Sequence, residues 1–247
     1  MKKKFLVTRR QALITGIGTL GGFLLTGCGR KLPPSYGSIL RMGDAFTYGA
    51  QRTLLPGQSL AREYDPRDIS SFPATGTTNP ATDPQAENGE TYARLLANDF
   101  RDWRLSVEGM VNHPTSYSLA ELQRLPSQKQ ITRHTCEEGW TAIAEWTGVP
   151  LGIILQAAGI KPEARFVAFK AYDGWVDCID MLDAFHPQTI LAYGMNGKNL
   201  PIPHGAPIRL RVEKQIGYKS MKYIEKIFLT DEFTDKEDIG WAWYVGM

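Results

Sequence analysis

The chain has 247 residues, of which 43% are hydrophobic and 22% charged, and this composition is that of a globular protein rather than of a disordered chain. The formal net charge is +2, but residues 1–27 contain five cations and no acid. The rest of the chain carries 28 − 5 = 23 cations against 26 acids, a balance of −3, so the basic footprint of a nucleic-acid-binding protein is absent. Three cysteines are too few for a disulfide scaffold.

A basic start precedes an uncharged stretch over residues 12–27, which is the arrangement of an export signal peptide. The stretch is interrupted by glycines and is shorter than the roughly 20 apolar residues of a membrane-spanning helix. The segment from Thr8 to Leu13 resembles a twin-arginine export signal, with Ala12 in place of the usual phenylalanine. An ordinary secretory signal is the alternative. We predict that residues 1–27 are a signal peptide.

The segment Leu25-Thr26-Gly27-Cys28 resembles a bacterial lipobox. Cleavage before Cys28 would expose its thiol and amine for acylation, and each buried methylene of an acyl chain contributes about 0.8 kcal/mol to membrane binding. A plain buried cysteine is the alternative. We expect a protein that leaves the cytoplasm by the twin-arginine route and is lipid-anchored through Cys28 on the periplasmic, extracytoplasmic side of a membrane.

Irregular segments are predicted on both sides of a folded domain. Repeated X-Pro pairs with nearby glycine and threonine punctuate residues 28–90, which we interpret as a tether followed by a segment that wraps the domain. Residues 91–230 are predicted to form the domain itself. The tail over 231–247 is acidic and then aromatic, and it either packs on the domain surface or docks a redox partner.

The first predicted elements of the domain are a strand and two short helices. Apolar and polar residues alternate over 104–109, which predicts a half-buried strand. Ser118 and Glu121 form a capping box at the start of a short helix. A second helix is predicted over 151–158, where Gly159 ends it.

The later elements follow the same mixed pattern. Strands are predicted over 165–172, 208–212 and 224–229, with a brief helix over 180–185. The strand over 208–212 places Arg209 and Arg211 on one face. Short strands and short helices without regular alternation favour an α+β fold with mixed sheets.

Cys136 is the first candidate for chemistry. Its neighbours Arg133 and His134 supply positive charge, which is expected to lower the pKa of a thiol. A thiolate is a ligand for soft or high-valent metal centres. The segment alone leaves three interpretations open: a metal ligand, a catalytic nucleophile paired with His134, or an inert buried thiol.

A second cluster lies between residues 196 and 222. A loop rich in glycine and proline leads to the strand that contains Arg209 and Arg211, and Gly-Tyr-Lys follows from residue 217. Backbone N–H groups near glycine can approach an anion, and arginine and lysine supply the opposite charge. The cluster predicts a cradle for a phosphate-bearing cofactor, with a solvated strand face as the alternative.

The order of the motifs resembles that of a known family. Arg-His-x-Cys-x-x-Gly-Trp from residue 133 precedes Trp-Thr-Gly-Val-Pro-Leu from residue 146, and His-Gly-x-Pro-x-Arg-Leu from residue 204 precedes Gly-Tyr-Lys. This order resembles the molybdopterin domain of sulfite oxidases. It is also similar to their bacterial periplasmic relatives, including the catalytic subunit of the periplasmic protein-methionine-sulfoxide reductase. The resemblance runs from about residue 102 to residue 230.

The resemblance implies roles for individual residues. Cys136 matches the thiolate ligand of molybdenum, and Tyr193 matches a tyrosine beside the metal. Arg133 is a weaker candidate for a substrate or cofactor contact, with a structural ion pair as the alternative. The residues that match positions contacting the pterin and its phosphate are His204, Arg209, Gly217, Tyr218 and Lys219. Lys222 is expected to add positive charge at the same place.

The resemblance also implies an activity, oxygen-atom transfer at a small sulfur-containing substrate on a molybdenum-molybdopterin cofactor, as in sulfite oxidases. Reduction of sulfoxides such as methionine sulfoxide is the alternative. His204 stands where the sulfoxide reductases carry asparagine, which favours the sulfite-oxidase pattern. The sequence has no Cys-x-x-Cys-His haem motif, so we expect electrons to pass through a separate partner, a cytochrome or a membrane haem protein.

Because the sequence stops soon after the last predicted strand, we expect no immunoglobulin-like dimerisation domain and predict a monomer. Two rival functions stay open: an acyl-transfer enzyme with a Cys136–His134 nucleophile, and a cofactor-free lipoprotein that acts as a binding module. Cys178 matches no functional position and is interpreted as a small buried hydrophobe. A Cys136–Cys178 disulfide would remove the proposed metal ligand.

Overall fold

The computed structural model describes residues 59–232 and a few residues between positions 46 and 54. The chain divides into two compact units, Met1–Gly43 and Asp44–Met247, and the described residues all lie in the second. The predicted signal peptide, Cys28 and the tail after Glu232 lie outside the described residues. Within the described part, no helix is both long and apolar enough to cross a membrane.

Short strands and short helices make up the described domain. The strands are β1 (Arg104–Gly109), β2 (Thr115–Ser118), β3 (Gln128–Thr135), β4 (Thr141–Pro150), β5 (Phe166–Ala171), β6 (Val176–Asp180), β7 (Ile190–Met195), β8 (Lys198–Asn199), β9 (Arg209–Arg211) and β10 (Ile224–Thr230). The α-helices are α1 (Gly89–Ala97), α2 (Leu119–Arg124), α3 (Leu151–Ala158) and α4 (Met181–Ala184). Single 3-10 turns lie at Pro66–Asp68, Ile202–His204 and Gly217–Lys219.

The strands form two sheets. The first has the order β2-β1-β10-β5-β6, and the second has the order β3-β4-β7-β8 with β9 also paired to β7. Only β1 and β10 pair in parallel among these strands; the other neighbours are antiparallel. The mixed α+β class predicted from the sequence is therefore confirmed.

Both sheets contribute to one large hydrophobic core. Side chains of β1, β5 and β10 meet side chains of α3 and of the β4–β7–β9 region there, and Trp103 and Phe169 are fully buried within it. A smaller cluster surrounds Trp146 on the second sheet and includes Phe72 from the preceding irregular segment. Removal of this apolar surface from water is the main stabilising contribution to the fold.

Local sequence signals predicted several elements correctly. The Ser118 side chain accepts a hydrogen bond from the backbone of Glu121, and the Glu121 carboxylate accepts one from the backbone of Ser118, as a capping box requires. Gly159 ends α3 with φ of 67°, a left-handed conformation that favours glycine. Both elements were predicted at the positions where the structure has them.

The segment before α1 follows the edge of the second sheet. The backbone N–H of Tyr64 donates to the carbonyl of Ile131, and that of Ser70 donates to the carbonyl of Ile143. Further along, the ammonium group of Lys222 donates to the carbonyl oxygens of Thr75 and Thr77. These contacts hold residues 72–77 against the loops that follow β3 and β9, where the candidate site lies.

Candidate functional site

A cavity of about 370 Å³ lies where residues 72–77 meet the β3–β4 turn and the segment between β9 and β10. The predicted site residues that line it are Cys136, His204, Arg209, Gly217, Tyr218 and Lys222. Residues far apart in the sequence are thus brought to one place. The other lining residues include Phe72, Thr75, Thr77, His134, Glu137, Glu138, Trp140, Asp173, Trp175, Pro203, Ser220 and Met221.

Cys136 is placed by the tight turn between β3 and β4. Its backbone N–H donates to the carbonyl of Trp140 at 2.9 Å, and Gly139 closes the turn with φ of 91°. Cys136 is 6% exposed, and its thiol lies 3.5 Å from the Glu137 carboxylate, to which it can donate a hydrogen bond. The thiol therefore opens onto the cavity at a fixed position.

The expected lowering of the Cys136 pKa was wrong. Burial raises the pKa of the Cys136 thiol, and the nearby carboxylates of Glu137 and Glu138 raise it further. Arg133 is exposed, since successive residues of β3 alternate between the two faces. His134 is neutral because burial and the adjacent Arg211 and Arg209 charges lower its pKa far below the ordinary value. These surroundings disfavour the thiolate, and a bound metal ion would favour it.

His134 is held by a buried charged network. A guanidinium nitrogen of Arg211 lies 2.6 Å from Nδ1 of His134, and Arg211 makes two further contacts, at 3.1 and 2.7 Å, with the Glu213 carboxylate. The side chain of Gln130 donates to Glu213 at 2.8 Å. The side chains of Arg211 and Glu213 are 1% and 0% exposed, so this ion pair is protected from water.

The opposite end of the cavity is basic. Burial and the neighbouring Arg211 lower the pKa of Arg209 to about 9, and burial with the charge of Arg209 lowers the pKa of Lys222 to about 8. Burial, followed by the charges of Arg209 and Lys222, lowers the pKa of His204 to about 4. Arg209 donates to the carbonyls of His204 and Ser220 at 3.1 and 2.7 Å, but its buried Nε has no partner within the described chain.

These features fit an anionic ligand. The charge of Arg211 disfavours the protonated form of Arg209, and the charge of Arg209 disfavours that of Lys222, so a bound anion would relieve the repulsion. The unsatisfied Nε of Arg209 offers a further donor. The residues present therefore suit the phosphate-bearing end of a pterin cofactor.

Three predicted site residues are not among those that line the cavity. Tyr193 on β7 is partly buried and packs against the large hydrophobic core. Lys219 is buried and donates to the Asp177 carboxylate at 2.6 Å and to the Cys178 carbonyl at 2.9 Å, so its charge is already compensated. Arg133 faces away from the cavity. The structure therefore does not bring these three into contact with the cavity.

Residues that the sequence analysis missed form much of the wall. Phe72 is central among them, since its ring centroid lies 5.2 Å from that of His134, 5.6 Å from that of Trp140 and 5.4 Å from that of His204. The only sequence signal was the run of small residues after Phe72 in an otherwise polar segment. Its packing partners lie far along the chain, so no local pattern reveals them.

Two alternatives for Cys136 do not agree with the geometry. Cys136 and Cys178 are both free thiols, so the disulfide is not formed. No hydrogen bond joins His134 to Cys136 within residues 59–232, and the group that orients His134 is the cation Arg211 rather than an acid. A nucleophilic cysteine needs a neighbouring base that accepts its proton, and this arrangement does not supply one.

The family to which the sequence is similar fits the cofactor cavity described above. The chain matches the oxidoreductase molybdopterin binding domain family over residues 93–237, which is more than half of its length. The chain therefore belongs to this family of molybdopterin-binding oxidoreductases, and it is an enzyme of that class.

Named relatives fall within the same group. The chain is 36% identical over 241 residues to the putative protein-methionine-sulfoxide reductase subunit YedZ1 of Azospira oryzae, covering 96% of this chain and 87% of the relative. It is 35% identical over 194 residues to the protein-methionine-sulfoxide reductase catalytic subunit MsrP of Xanthomonas axonopodis pv. citri. That second match covers 72% of this chain and 58% of the Xanthomonas protein, so the alignment spans little more than half of it.

A solved structure shares the fold. The sulfane dehydrogenase SoxCD from Paracoccus pantotrophus superposes with a TM-score of 0.53 at 24% identity, covering 56% of this chain and 40% of the other. At this level of identity the match establishes the architecture alone.

Proposed function

We propose that this protein is a molybdenum-molybdopterin enzyme that reduces a sulfoxide to a thioether, with protein-bound or free methionine sulfoxide as the substrate class. The names of the relatives from Azospira and Xanthomonas support this choice over sulfite oxidation. It reverses the order of preference that His204 indicated in the sequence. His204 has its pKa lowered to about 4, so it adds no positive charge for an oxyanion at neutral pH.

The wall around Cys136 is the observation that carries the proposal. Trp140 and Phe72 form its apolar side, and the carboxylates of Glu137 and Glu138 lie beside the thiol. Arg209 and Lys222 are bound to backbone carbonyls at the basic end, and Arg133 faces away. An anion such as sulfite would be repelled by the two glutamates, whereas a neutral sulfoxide with an apolar substituent would not.

The residues of the chain would divide the work of cofactor binding. The thiolate of Cys136 would ligate the metal, and Arg209 would donate charge-assisted hydrogen bonds to the phosphate of the pterin through its unsatisfied Nε. Lys222, whose N–H groups already donate to backbone carbonyls, would contribute its charge. Gly217 and Tyr218 would pack along the cofactor between these ends. When bound, the metal would supply the redox and oxygen-atom-transfer chemistry, and the protein would bind and orient the cofactor.

The overall reaction requires electrons from outside the chain. Reduction of a sulfoxide breaks one S–O bond and releases a thioether and water, which consumes two electrons and two protons. The relatives are named as a subunit and as a catalytic subunit, which supports a separate electron-donating partner such as a membrane haem protein. The protons come from solvent at the cavity mouth, where Glu137 and Glu138 are exposed.

The cofactor assignment is tested by metal and pterin content. The full chain is produced in a host supplied with molybdate, and molybdenum is measured by elemental mass spectrometry. We expect about one atom per chain, lost in Cys136→Ser and retained in the matched control Cys178→Ser, because Cys178 is buried on β6 outside the cavity. A folded, metal-free protein would instead support the binding-module alternative.

Substrate choice is tested on the loaded enzyme. With a reduced viologen as electron donor, we expect turnover of methionine sulfoxide. With an oxidising acceptor, we expect little turnover of sulfite. Rapid sulfite oxidation without sulfoxide reduction would reverse the substrate assignment and leave the cofactor assignment intact.

We also propose that the mature protein is exported and lipid-anchored at Cys28, on the sequence signals alone. Metabolic labelling with a radioactive fatty acid should mark the wild-type chain and not Cys28→Ala. Replacement of both Arg9 and Arg10 by lysine should block export. Labelling of the Cys28→Ala chain would contradict the anchor.

A further inference from the structure

The tautomer of His134 follows from the chemistry of its partner. Nδ1 of His134 lies 2.6 Å from a guanidinium nitrogen of Arg211. Arginine carries only hydrogen-bond donors, so Nδ1 must be the acceptor and must be unprotonated. The proton of the neutral ring is therefore on Nε2.

The network behind His134 prevents the ring from adopting the other tautomer. Glu213 contacts Arg211 with both carboxylate oxygens, and the Arg211 guanidinium carbon lies 4.5 Å from the centroid of the Trp146 ring. Gln130 donates to Glu213 and to the Gln188 carbonyl. Since these groups are buried, rearrangement would leave an unpaired charge inside the protein.

Nε2 of His134 lies beside Gly217 at the wall of the cavity. His134 lines the cavity together with Cys136 and Gly217, and it is 7% exposed. A Cβ at position 217 would lie 2.6 Å from Nε2, so the glycine there leaves the N–H room. Within residues 59–232, no hydrogen bond to Nε2 is formed; the one hydrogen bond of this ring goes through Nδ1.

We propose that His134 is a cofactor-contacting residue whose Nε2–H donates a hydrogen bond to the group held by Cys136. Arg211, fixed by Glu213, is the positioning residue that sets the tautomer. The inference rests on the proposed function in requiring a cofactor in the cavity. A donor at this place stabilises the more electron-rich state of the bound group, so it raises the reduction potential of the metal.

The tautomer is measured directly by nitrogen NMR of the full chain labelled with ¹⁵N-histidine and prepared without cofactor. We expect a His134 signal with unprotonated Nδ1 and protonated Nε2, assigned through its loss in His134→Gln. A ring protonated on Nδ1 would overturn the proposal. The tautomer is measured on the wild-type protein, and the His134→Gln variant serves only to assign the signal.

The donor role is measured as the midpoint potential of the metal in the loaded enzyme. His134→Leu should lower the potential, and His134→Gln, which keeps an N–H donor, should restore most of the difference. The matched control is His186→Gln, because His186 contacts the Ser59 carbonyl at 3.1 Å outside the cavity. An unchanged potential in a fully loaded His134→Leu enzyme would refute the role.

The positioning role is measured in the same way. Arg211→Lys keeps a donor for Nδ1 and should retain the wild-type potential, whereas Arg211→Met should shift it in the same direction as His134→Leu. Equal potentials in both Arg211 variants would refute this role. Neither readout involves sulfoxide turnover, so failure of the substrate proposal would leave these results standing.

Discussion

The position of each residue along an extended segment decides which neighbours of Cys136 reach the cavity. His134 and Cys136 are two positions apart and are both buried, whereas Arg133, next to His134 on β3, is exposed. Strand alternation alone would have excluded Arg133. The direction of the Cys136 pKa shift was not predictable in this way, because its largest cause is burial, and segments distant in sequence such as the one with Gly217 pack against Cys136.

For the cluster over residues 196–222, the sequence predicted which residues come together better than it did around Cys136. Its glycines and basic residues do bring His204, Arg209 and Lys222 to one cavity, although their roles stay predictions. Lys219 was predicted to bind the cofactor but does not line the cavity, and its charge is compensated by Asp177 on a strand distant in sequence. A buried ion pair between distant residues has no local sequence signal.

The Arg211–Glu213 pair provides a prediction at this scale. Glu213→Ala leaves the Arg211 charge buried without its carboxylate, and we expect a loss of about 3–5 kcal/mol in unfolding free energy, measured by urea denaturation. The control is Glu108→Ala, because Glu108 pairs with Lys226 at 2.7 Å in a half-exposed position where a loss below about 1 kcal/mol is expected. Equal losses of unfolding free energy in the two variants would contradict the expectation that the buried ion pair matters more than the half-exposed one.

At the scale of elements, β1, β5, β9 and β10 were predicted from their sequence patterns, whereas β3, β4 and β7 were not. β1 was predicted from its pattern and has it, with Leu105 and Val107 fully buried. β3 was missed because its buried positions include Gln130, Thr132 and His134, which are polar. Such a strand is recognisable only from its partners, β4 and the network around Glu213.

The irregular contact between β4 and β7 gives an element-scale prediction. Their register shifts between Thr147 and Gly148, and a Cβ on Gly148 would overlap the carbonyl of Leu191. We expect Gly148→Ala to lower the unfolding free energy by about 1–3 kcal/mol or more through overpacking and lost pairing.

A matched substitution in α3 should have the opposite sign. A Cβ on Gly152 would lie 3.2 Å from the Phe185 ring, which is 40% exposed and can move. Gly152→Ala should raise the unfolding free energy by up to about 1 kcal/mol, since alanine is the better helix former. Thermal unfolding of both variants compares them; destabilisation by Gly152→Ala would show that Phe185 does not yield.

For the whole molecule, buried neutral histidines make stability depend on pH. The pKa of His204 is lowered to about 4 from an ordinary value of 6.5, and that of His186 is also lowered, with burial the largest cause of each shift. The folded chain therefore binds fewer protons than the unfolded chain between these values. The histidine contribution is complete above pH 6.5 and is lost as the pH falls towards 4.

Urea unfolding of the cofactor-free chain at pH 7 and pH 5 measures this effect. We expect His204→Asn to reduce the difference in unfolding free energy between the two pH values by about 1–2 kcal/mol, given about 1.4 kcal/mol per pKa unit and partial solvent screening. An unaltered pH dependence in His204→Asn would show that His204 is protonated alike in both states.

One pairing sets the order in which the molecule is assembled. β1 lies parallel to β10, with Gly109 opposite Leu229, and β10 separates β1 from β5 in the first sheet. During translation, β1 and β5 cannot join one sheet until β10, the strand that lies between them, has been synthesised. Lys222, which lines the cavity, is synthesised just before β10. Ribosomes must therefore have passed residue 230 before a complete binding cavity exists, so the cofactor enters a chain whose domain has already been synthesised.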